Sequence, residues 1–261
     1  MEGFLLIDKP VGPTSHDIVD SVRRILRSQK SNYSLPITHY PLPKVGHAGT
    51  LDPFASGLLI IGIGKATKEM SKLVGLDKEY EALLKLGAIS DTYDRTGLIK
   101  ASGIKCQASR EGIEEILKKF TGSIQQIPPM FSAKKVKGKK LYELARKGIE
   151  IERKPITITI YSLELLSIQK LQTTHYQLQT KIHCSSGTYI RSLAHDIGQA
   201  LGCGAYLEEL RRTAIGPFRI EEATPISAIT SKNIEQLAFS SEKILSRISD
   251  FPIALNTANF D

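Results

Sequence analysis

The most informative stretch of this chain reads Lys44-Val45-Gly46-His47-Ala48-Gly49-Thr50-Leu51-Asp52-Pro53-Phe54-Ala55-Ser56-Gly57. Its glycines permit tight turns and close approach of the backbone to a ligand, and they flank one histidine and one carboxylate. Asp52 alone is typical of a turn, because aspartate in a glycine-rich loop usually caps the segment that follows. The alternative is a carboxylate presented for catalysis, and this stretch by itself leaves both open.

The segments around it favour a fold of the α+β class. Residues 78–88 alternate between apolar and polar side chains, which is typical of a half-buried strand. Two β-branched runs, Ile156 to Leu166 and His175 to Cys184, indicate an antiparallel pair. Apolar residues at helical spacing predict helices that begin at Thr14 or Ser15, run from Ser109 to Phe120, and run from Ile190 to Leu201. Strands and helices do not alternate regularly, which favours α+β over a βαβ arrangement.

The charge of the chain points to a polyanionic partner. It has 261 residues, with 35 basic and 27 acidic side chains and a formal net charge of +8. Nine basic residues lie within residues 132–154. Lysine and arginine side chains that neutralise phosphates release condensed counterions, so such a segment suits RNA. A solvated, charged surface loop is the other interpretation of the same run.

Several features of the sequence indicate in which cellular compartment the protein acts. No run of about 18 uninterrupted apolar residues occurs, so no membrane span is predicted. The segment from Met1 to Lys9 has a short apolar run but no basic leader, and it predicts a first strand, not a signal peptide. The three cysteines, Cys106, Cys184 and Cys203, are too few and too scattered for a disulfide framework, which favours a reducing cytoplasm.

A second signal is the stretch from Cys184 to Leu193, which places Arg191 near the start of a helix. A cation there is unfavourable with respect to the helix dipole, whereas an anion is favoured. The sequence therefore indicates that Arg191 is paired with a carboxylate or faces a phosphate. An unpaired surface arginine in the first helical turn is the simpler alternative.

Metal and cofactor chemistry find little support in the sequence. His183, Cys184, His195 and Cys203 are close along the chain, but they form no CxxC or HxxxH pair. The segment from Gly62 to Thr67 lacks the full pattern of a phosphate-binding loop, and no dinucleotide fingerprint occurs. An enzyme of this sequence is expected to work with side chains alone, without metal or cofactor.

Seven motifs, in order, resemble those of the bacterial tRNA pseudouridine synthase B family (TruB). The resemblance extends from about residue 3 to about residue 220. The motifs are Asp8-Lys9-Pro10-x-Gly12-x-Thr14-Ser15, Gly46-His47-x-Gly49-Thr50-Leu51-Asp52-Pro53, Lys78-x-Tyr80, Ile127-Pro128-Pro129-Met130-Phe131-Ser132-Ala133, Lys137-Gly138-Lys139-Lys140-Leu141-Tyr142, Cys184-x-x-Gly187-Thr188-Tyr189-Ile190-Arg191 and Leu210-Arg211-Arg212.

This resemblance implies a pseudouridine-synthase fold, in which helices flank a central, mostly antiparallel mixed sheet. It implies an enzyme that flips out the uridine at position 55 in the T-loop of tRNA and isomerises it to pseudouridine. The partner is then the T-arm of tRNA, with no membrane and no protein partner. A monomeric, cytoplasmic, bacterial enzyme without metal or cofactor is expected.

The resemblance also implies roles for individual residues. Asp52 is expected to be the catalytic nucleophile, Tyr80 to lie against the target base, and Arg191 to form an ion pair with the aspartate. His47, Tyr80, Tyr189 and Leu210 are expected to bind the substrate. A carboxylate beside a sugar carbon resembles half of the equipment of a glycosidase, and the base must leave its stack before it reacts.

The implied organisation is a catalytic domain at 1–221, with a basic RNA-gripping insertion at about 124–154, and a short helical extension at 222–261. This extension is expected to be the remnant of a PUA domain, of which only an opening strand at 251–255 remains. The sequence departs from the family at Ala48, where threonine is common, and in a longer loop at 28–43. The carboxylates of Asp91 and Asp94 are expected to belong to a turn that ends a strand.

Two other functions are compatible with parts of the sequence. A non-catalytic RNA-binding protein would retain the basic groove, but it would not need a carboxylate facing phosphates. A cofactor-dependent RNA methyltransferase would need a glycine-rich nucleoside site, which the sequence lacks.

Overall fold

The computed structural model describes residues 1–30, 42–104, 106, 109–132, 134–136, 138–172 and 175–251. Over these residues the strands are β1 Gly3–Lys9, β2 Val45–Ala48, β3 Ser56–Ile63, β4 Lys78–Leu86, β5 Ala88–Ser90, β6 Ile99–Ala101, β7 Gly122–Gln126, β8 Lys135–Val136, β9 Lys139–Lys140, β10 Ile156–Gln172, β11 His175–Cys184, β12 Ala205–Ile215, β13 Phe218–Arg219 and β14 Thr224–Pro225. The α-helices are α1 Ser15–Lys30, α2 Met70–Val74, α3 Arg110–Lys119, α4 Leu141–Ala145, α5 Ile190–Ala200 and α6 Ser241–Ser249. A large mixed sheet with flanking helices confirms the α+β class.

The described residues divide into two compact units, and the first comprises residues 1–30, 42–79 and 211–251. Its central strands are β1 and β3, which are antiparallel from Gly3↔Ile63 to Lys9↔Gly57. β14 runs parallel to β1, β2 runs antiparallel to β3, and the C-terminal part of β12 runs parallel to the start of β3.

Both faces of this part of the sheet are buried. Phe4 and Leu6 of β1 pack in one core cluster, which includes residues of α6, while Leu5 and Ile7 pack in a second cluster with α1. Helices on both faces explain why β1 and β3 are nearly continuous apolar runs and do not alternate in polarity.

The second unit comprises Tyr80–Leu210. Its strands follow the order β12-β4-β11-β10-β7. β10 and β11 are antiparallel from Ile160↔Cys184 to Gln172↔His175, which confirms the predicted pair. β4 buries alternate residues, as its sequence predicts.

The helix predictions are largely confirmed. α1 begins at Ser15, and the Thr14 hydroxyl accepts a hydrogen bond from the Asp17 amide (3.1 Å) as an N-cap. α3 is capped by the Ser109 side chain, and α5 ends just before Gly202, whose φ is +73°. The predicted loop at 28–43 is wrong at its start, because α1 continues to Lys30. Residues 31–41 of that loop lie outside the described residues.

The range of the predicted insertion, 124–154, contains structure of two kinds. Residues 124–126 belong to β7, which pairs with β10 in the large sheet. Beyond them, β8 and β9 form a separate two-stranded sheet that leads into α4. Ala133 and Lys137 lie outside the described residues.

The last part of the described chain contains α6, two short 3₁₀ helices at Ile220–Glu222 and Ile226–Ala228, and β14. Most of the strand predicted at 251–255 falls outside the described residues. None of the helices in the described ranges is both long enough and apolar enough to cross a bilayer.

Candidate active site

Asp52 lies in a tight turn between β2 and β3 of the first unit. The Ala55 amide donates to the Asp52 carbonyl (3.1 Å), and the Gly12 amide donates to the Pro53 carbonyl (2.8 Å). The turn predicted from the sequence therefore exists, and it is joined to the loop that follows β1. The Asp52 side chain is half-buried.

Ser15 fixes the residue that precedes Asp52. The Ser15 hydroxyl donates to the Leu51 carbonyl (3.0 Å) and accepts from the Leu51 amide (2.8 Å). Ser15 and Leu51 are both buried, so neither backbone group of Leu51 is open to water. One side chain at the start of α1 thus satisfies both polar groups of the peptide backbone beside the candidate nucleophile.

Lys9 is a fully buried cation at the end of β1. Its ammonium donates to the carbonyls of Pro10 (2.9 Å), Pro13 (2.8 Å) and Ala55 (2.7 Å). Burial lowers the pKa of Lys9 to about 8, while the negative charge of Asp52 opposes that shift. Lys9 therefore remains a cation at pH 7, and its charge attracts the Asp52 carboxylate.

Arg212 supports the same turn from β12. Its guanidinium donates to the carbonyls of Leu58 (2.8 Å), Gly49 (3.1 Å) and Thr50 (3.5 Å). Gly57 has φ +106°, and a Cβ there would lie 2.3 Å from the Arg212 carbonyl oxygen. Glycine at this position is what allows β3 to approach β12 so closely.

His47 lies on β2, half-buried, and its Nδ1 has no hydrogen-bond partner among the described residues. Burial lowers the pKa of His47, and the positive charges of Arg212 and His16 act in the same direction. The imidazole is therefore neutral at pH 7, and a neutral ring is suited to stacking on a base.

A bidentate ion pair lies near these groups in the first unit. Arg211 donates to both Asp8 carboxylate oxygens (3.1 and 2.8 Å). Both side chains are partly exposed, so the pair contributes little to stability.

In the second unit, Tyr189 is the N-cap residue of α5. The Gln126 side chain donates to the Tyr189 carbonyl (3.0 Å) and accepts from the Tyr189 amide (2.8 Å). Gln126 is buried at the end of β7, so it holds the start of α5 against the sheet.

Arg191 follows in the first turn of α5 and is buried. Its Nη1 lies 3.4 Å from Oδ2 of Asp94 and donates to the Thr92 carbonyl (3.2 Å). Its Nη2 donates to the Phe131 carbonyl (2.7 Å). A paired arginine is what its unfavourable position in the helix dipole indicates. An ion pair between Arg191 and Asp52 stays a prediction.

The residues expected to form the site are divided between the two units. His47 and Asp52 lie in the first, where Arg212 donates to the Thr50 carbonyl, two residues before Asp52, and its charge acts on His47. Tyr80, Tyr189, Arg191 and Leu210 lie in the second. Tyr80 and Leu210 are on the neighbouring strands β4 and β12, each 8% exposed.

Three important residues were not identified as site residues by sequence reasoning. Asp94 does lie in a turn after β5, as expected, but it is also the buried partner of Arg191. Lys9 and Arg212 were quoted only as motif members, and nothing in their spacing indicates that they bind carbonyls of distant segments. Lys9 at least precedes Pro10, whereas Arg212, between Arg211 and Thr213, has no such local signal.

Among the described residues, no group of three or more histidine, cysteine, aspartate or glutamate side chains is placed to hold a metal ion. The four residues weighed above as zinc ligands are therefore not gathered into one site.

Two family models cover most of the chain. The TruB family pseudouridylate synthase N-terminal domain matches residues 38–190, and the tRNA pseudouridylate synthase B C-terminal domain matches residues 191–248. A tRNA pseudouridine synthase B of Azoarcus sp. (strain BH72) is 44% identical over 252 residues, which is 97% of this chain and 77% of the relative. The enzyme of the same name from Bordetella avium (strain 197N) is 45% identical, over 88% of this chain and 87% of the relative.

Solved structures give the same result for the fold. A chain in a Cbf5-Nop10-Gar1 complex is 31% identical with a TM-score of 0.61, over 86% of this chain and 52% of that chain. A chain in an H/ACA RNP bound to a substrate RNA containing 2′-deoxyuridine is 30% identical with a TM-score of 0.58. The present chain spans about half the length of these solved chains. The likeness confirms the expected fold.

Proposed function

We propose that this chain, which belongs to the TruB family of pseudouridylate synthases, converts a uridine of tRNA to pseudouridine. The relatives that carry the name tRNA pseudouridine synthase B match nearly all of its length. The observation that carries the proposal is the Asp52 turn, which Ser15, Lys9 and Arg212 hold in place. We further propose that the target is uridine 55 in the T-loop and that the protein acts in the cytoplasm.

Asp52 is the proposed nucleophile. Isomerisation breaks the bond from ribose C1′ to N1 of uracil, rotates the base and joins C1′ to C5. The atoms of substrate and product are the same, so neither an oxidant nor water is consumed. A carboxylate can attack C1′ or assist departure of the base, as in retaining glycosidases. The charge of Lys9 supports this role, because a nearby cation favours the ionised carboxylate.

Tyr80 and Arg191 complete the proposed catalytic set. Formation of the C1′–C5 bond displaces the proton on C5, and Tyr80 is the proposed group against the base that handles it. Arg191 is proposed to face the Asp52 carboxylate. Asp94 is then a positioning residue, because its carboxylate pairs with the Arg191 guanidinium.

His47, Tyr189 and Leu210 are proposed to receive the flipped nucleotides. Splayed RNA bases stack on aromatic and imidazole planes, and an aliphatic side chain can close the opposite face. The lowered pKa of His47 supports stacking by a neutral ring.

The basic segment is proposed to grip the RNA backbone. A cavity of about 770 Å³ in the second unit is lined by Lys134, Lys139, Arg153 and Lys154 over an apolar floor that includes Leu141. Positive charge around a concave surface suits phosphates. The proposed organisation is a catalytic domain at 1–221 and a short C-terminal extension at 222–261.

The test uses an unmodified tRNA transcript labelled with tritium at C5 of uridine. Each turnover releases one tritium atom to water, and chemical mapping of pseudouridine locates the modified position. Wild type is expected to release one equivalent and to modify position 55. Asp52→Asn, which is nearly isosteric, is expected to bind tRNA without releasing tritium.

Three results would count against the proposal. Binding without any tritium release by wild type would identify a non-catalytic RNA-binding protein. Full activity of Asp52→Asn would show that another residue is the nucleophile. Modification at another position would correct the target but leave the activity in place.

A further inference from the structure

Two cysteines of the second unit lie side by side although 97 positions separate them. The Sγ atoms of Cys106 and Cys203 are 2.8 Å apart, and both residues are free cysteines. They are 4% and 1% exposed. Neither takes part in the proposed chemistry.

The backbone at Gly87 holds both cysteine-bearing segments. The Gly87 amide donates to the carbonyl of Gly204, the residue after Cys203 (3.0 Å). The Gly87 carbonyl accepts from the Ser102 amide (3.0 Å) and the Ser102 hydroxyl (3.1 Å), four residues before Cys106. Backbone pairing to one residue, Gly87, therefore brings the two cysteine-bearing segments together.

Close packing also fixes the turn that carries Cys203. A Cβ at Gly198, near the end of α5, would lie 2.1 Å from the Ala205 amide nitrogen. A Cβ at Gly204, where φ is +71°, would lie 2.6 Å from Cγ2 of Ile89. The turn on which Cys203 lies is therefore closely packed against α5 and β5, and Cys203 itself is buried.

We propose that Cys106 and Cys203 form an intrachain disulfide when the protein meets hydrogen peroxide, and that this bond fastens the segment after β6 to the turn between α5 and β12. A thiolate attacks one peroxide oxygen and releases hydroxide, which leaves a sulfenic acid. The second sulfur then displaces the sulfenic oxygen to form the S–S bond. Overall, two thiols and one peroxide give one disulfide and two waters.

The surroundings of the pair determine how it reacts. Burial, with a contribution from the hydrogen bond to Cys203, raises the pKa of Cys106 to about 12. Since the thiolate is the nucleophile, oxidation is slow at pH 7 and faster at higher pH. Because both thiols are buried, a small oxidant reaches them more readily than a bulky disulfide such as oxidised glutathione. The pair therefore acts as a staple formed under oxidative exposure, not as a catalytic redox couple.

Cys184 is the internal control. It is fully buried on β11 and is the remaining cysteine of the chain. Trypsin separates the three thiols, because it releases peptides 106–110, 182–191 and 192–211, each with one cysteine.

The experiment compares the full chain with Cys106→Ser, Cys203→Ser and Cys184→Ser. Each protein is reduced and treated with excess hydrogen peroxide at pH 9, for much longer than free glutathione in a parallel tube needs to be oxidised. It is then alkylated in denaturant and digested. Wild type and Cys184→Ser are expected to yield peptides 106–110 and 192–211 joined, two hydrogen atoms lighter than their sum. Peptide 182–191 of wild type is expected to be alkylated.

Thermal melting provides the second measurement. A bond that closes a loop of this length is expected to raise the melting temperature of oxidised wild type by about 5–10 °C over its reduced form, with no such shift in Cys106→Ser. The proposal is overturned if all three peptides of oxidised wild type are alkylated. It is also overturned if the disulfide involves Cys184 or joins two chains.

Discussion

Replacing Ser15 by alanine removes one hydroxyl and leaves two buried backbone groups of Leu51 without their partner. The Leu51 amide and carbonyl adjoin Asp52 directly, so the substitution disturbs the candidate nucleophile without touching it. Ser15 is 1% exposed, which means that water cannot easily replace the hydroxyl.

The expected cost follows from these two contacts. A buried polar group that loses its hydrogen-bond partner costs about 1–3 kcal/mol. Two such groups lower the free energy of unfolding by about 2–4 kcal/mol after partial relaxation, which lowers the melting temperature by roughly 5–12 °C for a chain of this size. A displaced Asp52 also slows catalysis, since an error of about 1 Å in a reacting group can cost about 100-fold in rate.

The assay is tritium release under saturating tRNA, at a temperature where wild type and Ser15→Ala are both folded. The kcat of Ser15→Ala is expected to fall about 10–100-fold with little change in KM. Ser21→Ala is the matched control, because the Ser21 hydroxyl also donates to a backbone carbonyl of α1 (2.9 Å) but is exposed. A Ser15→Ala enzyme with the melting temperature of wild type would refute the packing argument. A lower melting temperature with unchanged kcat would refute the claim that Ser15 positions Asp52.

Three further predictions concern the second unit. Burial raises the pKa of Asp196 to about 6, so this group stabilises the fold fully below pH 3.8 and its contribution is lost as pH rises through 6. Asp196→Asn is expected to melt about 3–5 °C above wild type at pH 7.5, after allowance for screening, with the difference vanishing near pH 4. Asp94→Asn removes the carboxylate that pairs with the buried Arg191 guanidinium and is expected to cost about 3–5 kcal/mol in stability. An Asp94→Asn variant as stable as Asp91→Asn, whose carboxylate lies at an exposed position, would contradict this. Replacing Lys139 and Lys154 by alanine is expected to reduce the slope of log affinity for tRNA against log salt concentration by about 1–2. Filter binding at several salt concentrations measures this slope, and an unchanged slope would contradict the prediction.

Local patterns predicted the regular elements because one buried face fixes their periodicity. α3 and α5 follow from apolar residues at helical spacing, and the pair β10–β11 follows from two β-branched runs. The prediction of a loop at 28–43 was wrong at its start, because the polar residues 28–30 show no apolar pattern although the helix continues through them.

The site was predictable only in part, since its decisive contacts join distant segments. Asp52 could be recognised by resemblance, but the ammonium of Lys9 reaches a carbonyl 46 positions away and Arg212 reaches one 162 positions away. Asp94 was assigned to a turn because turn chemistry explains an aspartate locally. Its contact with Arg191 depends on how α5 packs, and no spacing within the sequence encodes that.

The same contacts explain why three motifs of the first unit belong together physically. The first of the seven motifs provides Lys9 and Ser15, the second provides the turn with Asp52, and the seventh provides Arg212. Each cation or hydroxyl binds backbone carbonyls of the turn, so the turn is held without any ligand. A carboxylate fixed in this way needs little rearrangement before reaction, which is the condition for efficient electrostatic catalysis. A single aspartate in a glycine-rich turn is chemically ordinary, and it is this frame of buried side chains that suits Asp52 to the proposed attack on a sugar carbon.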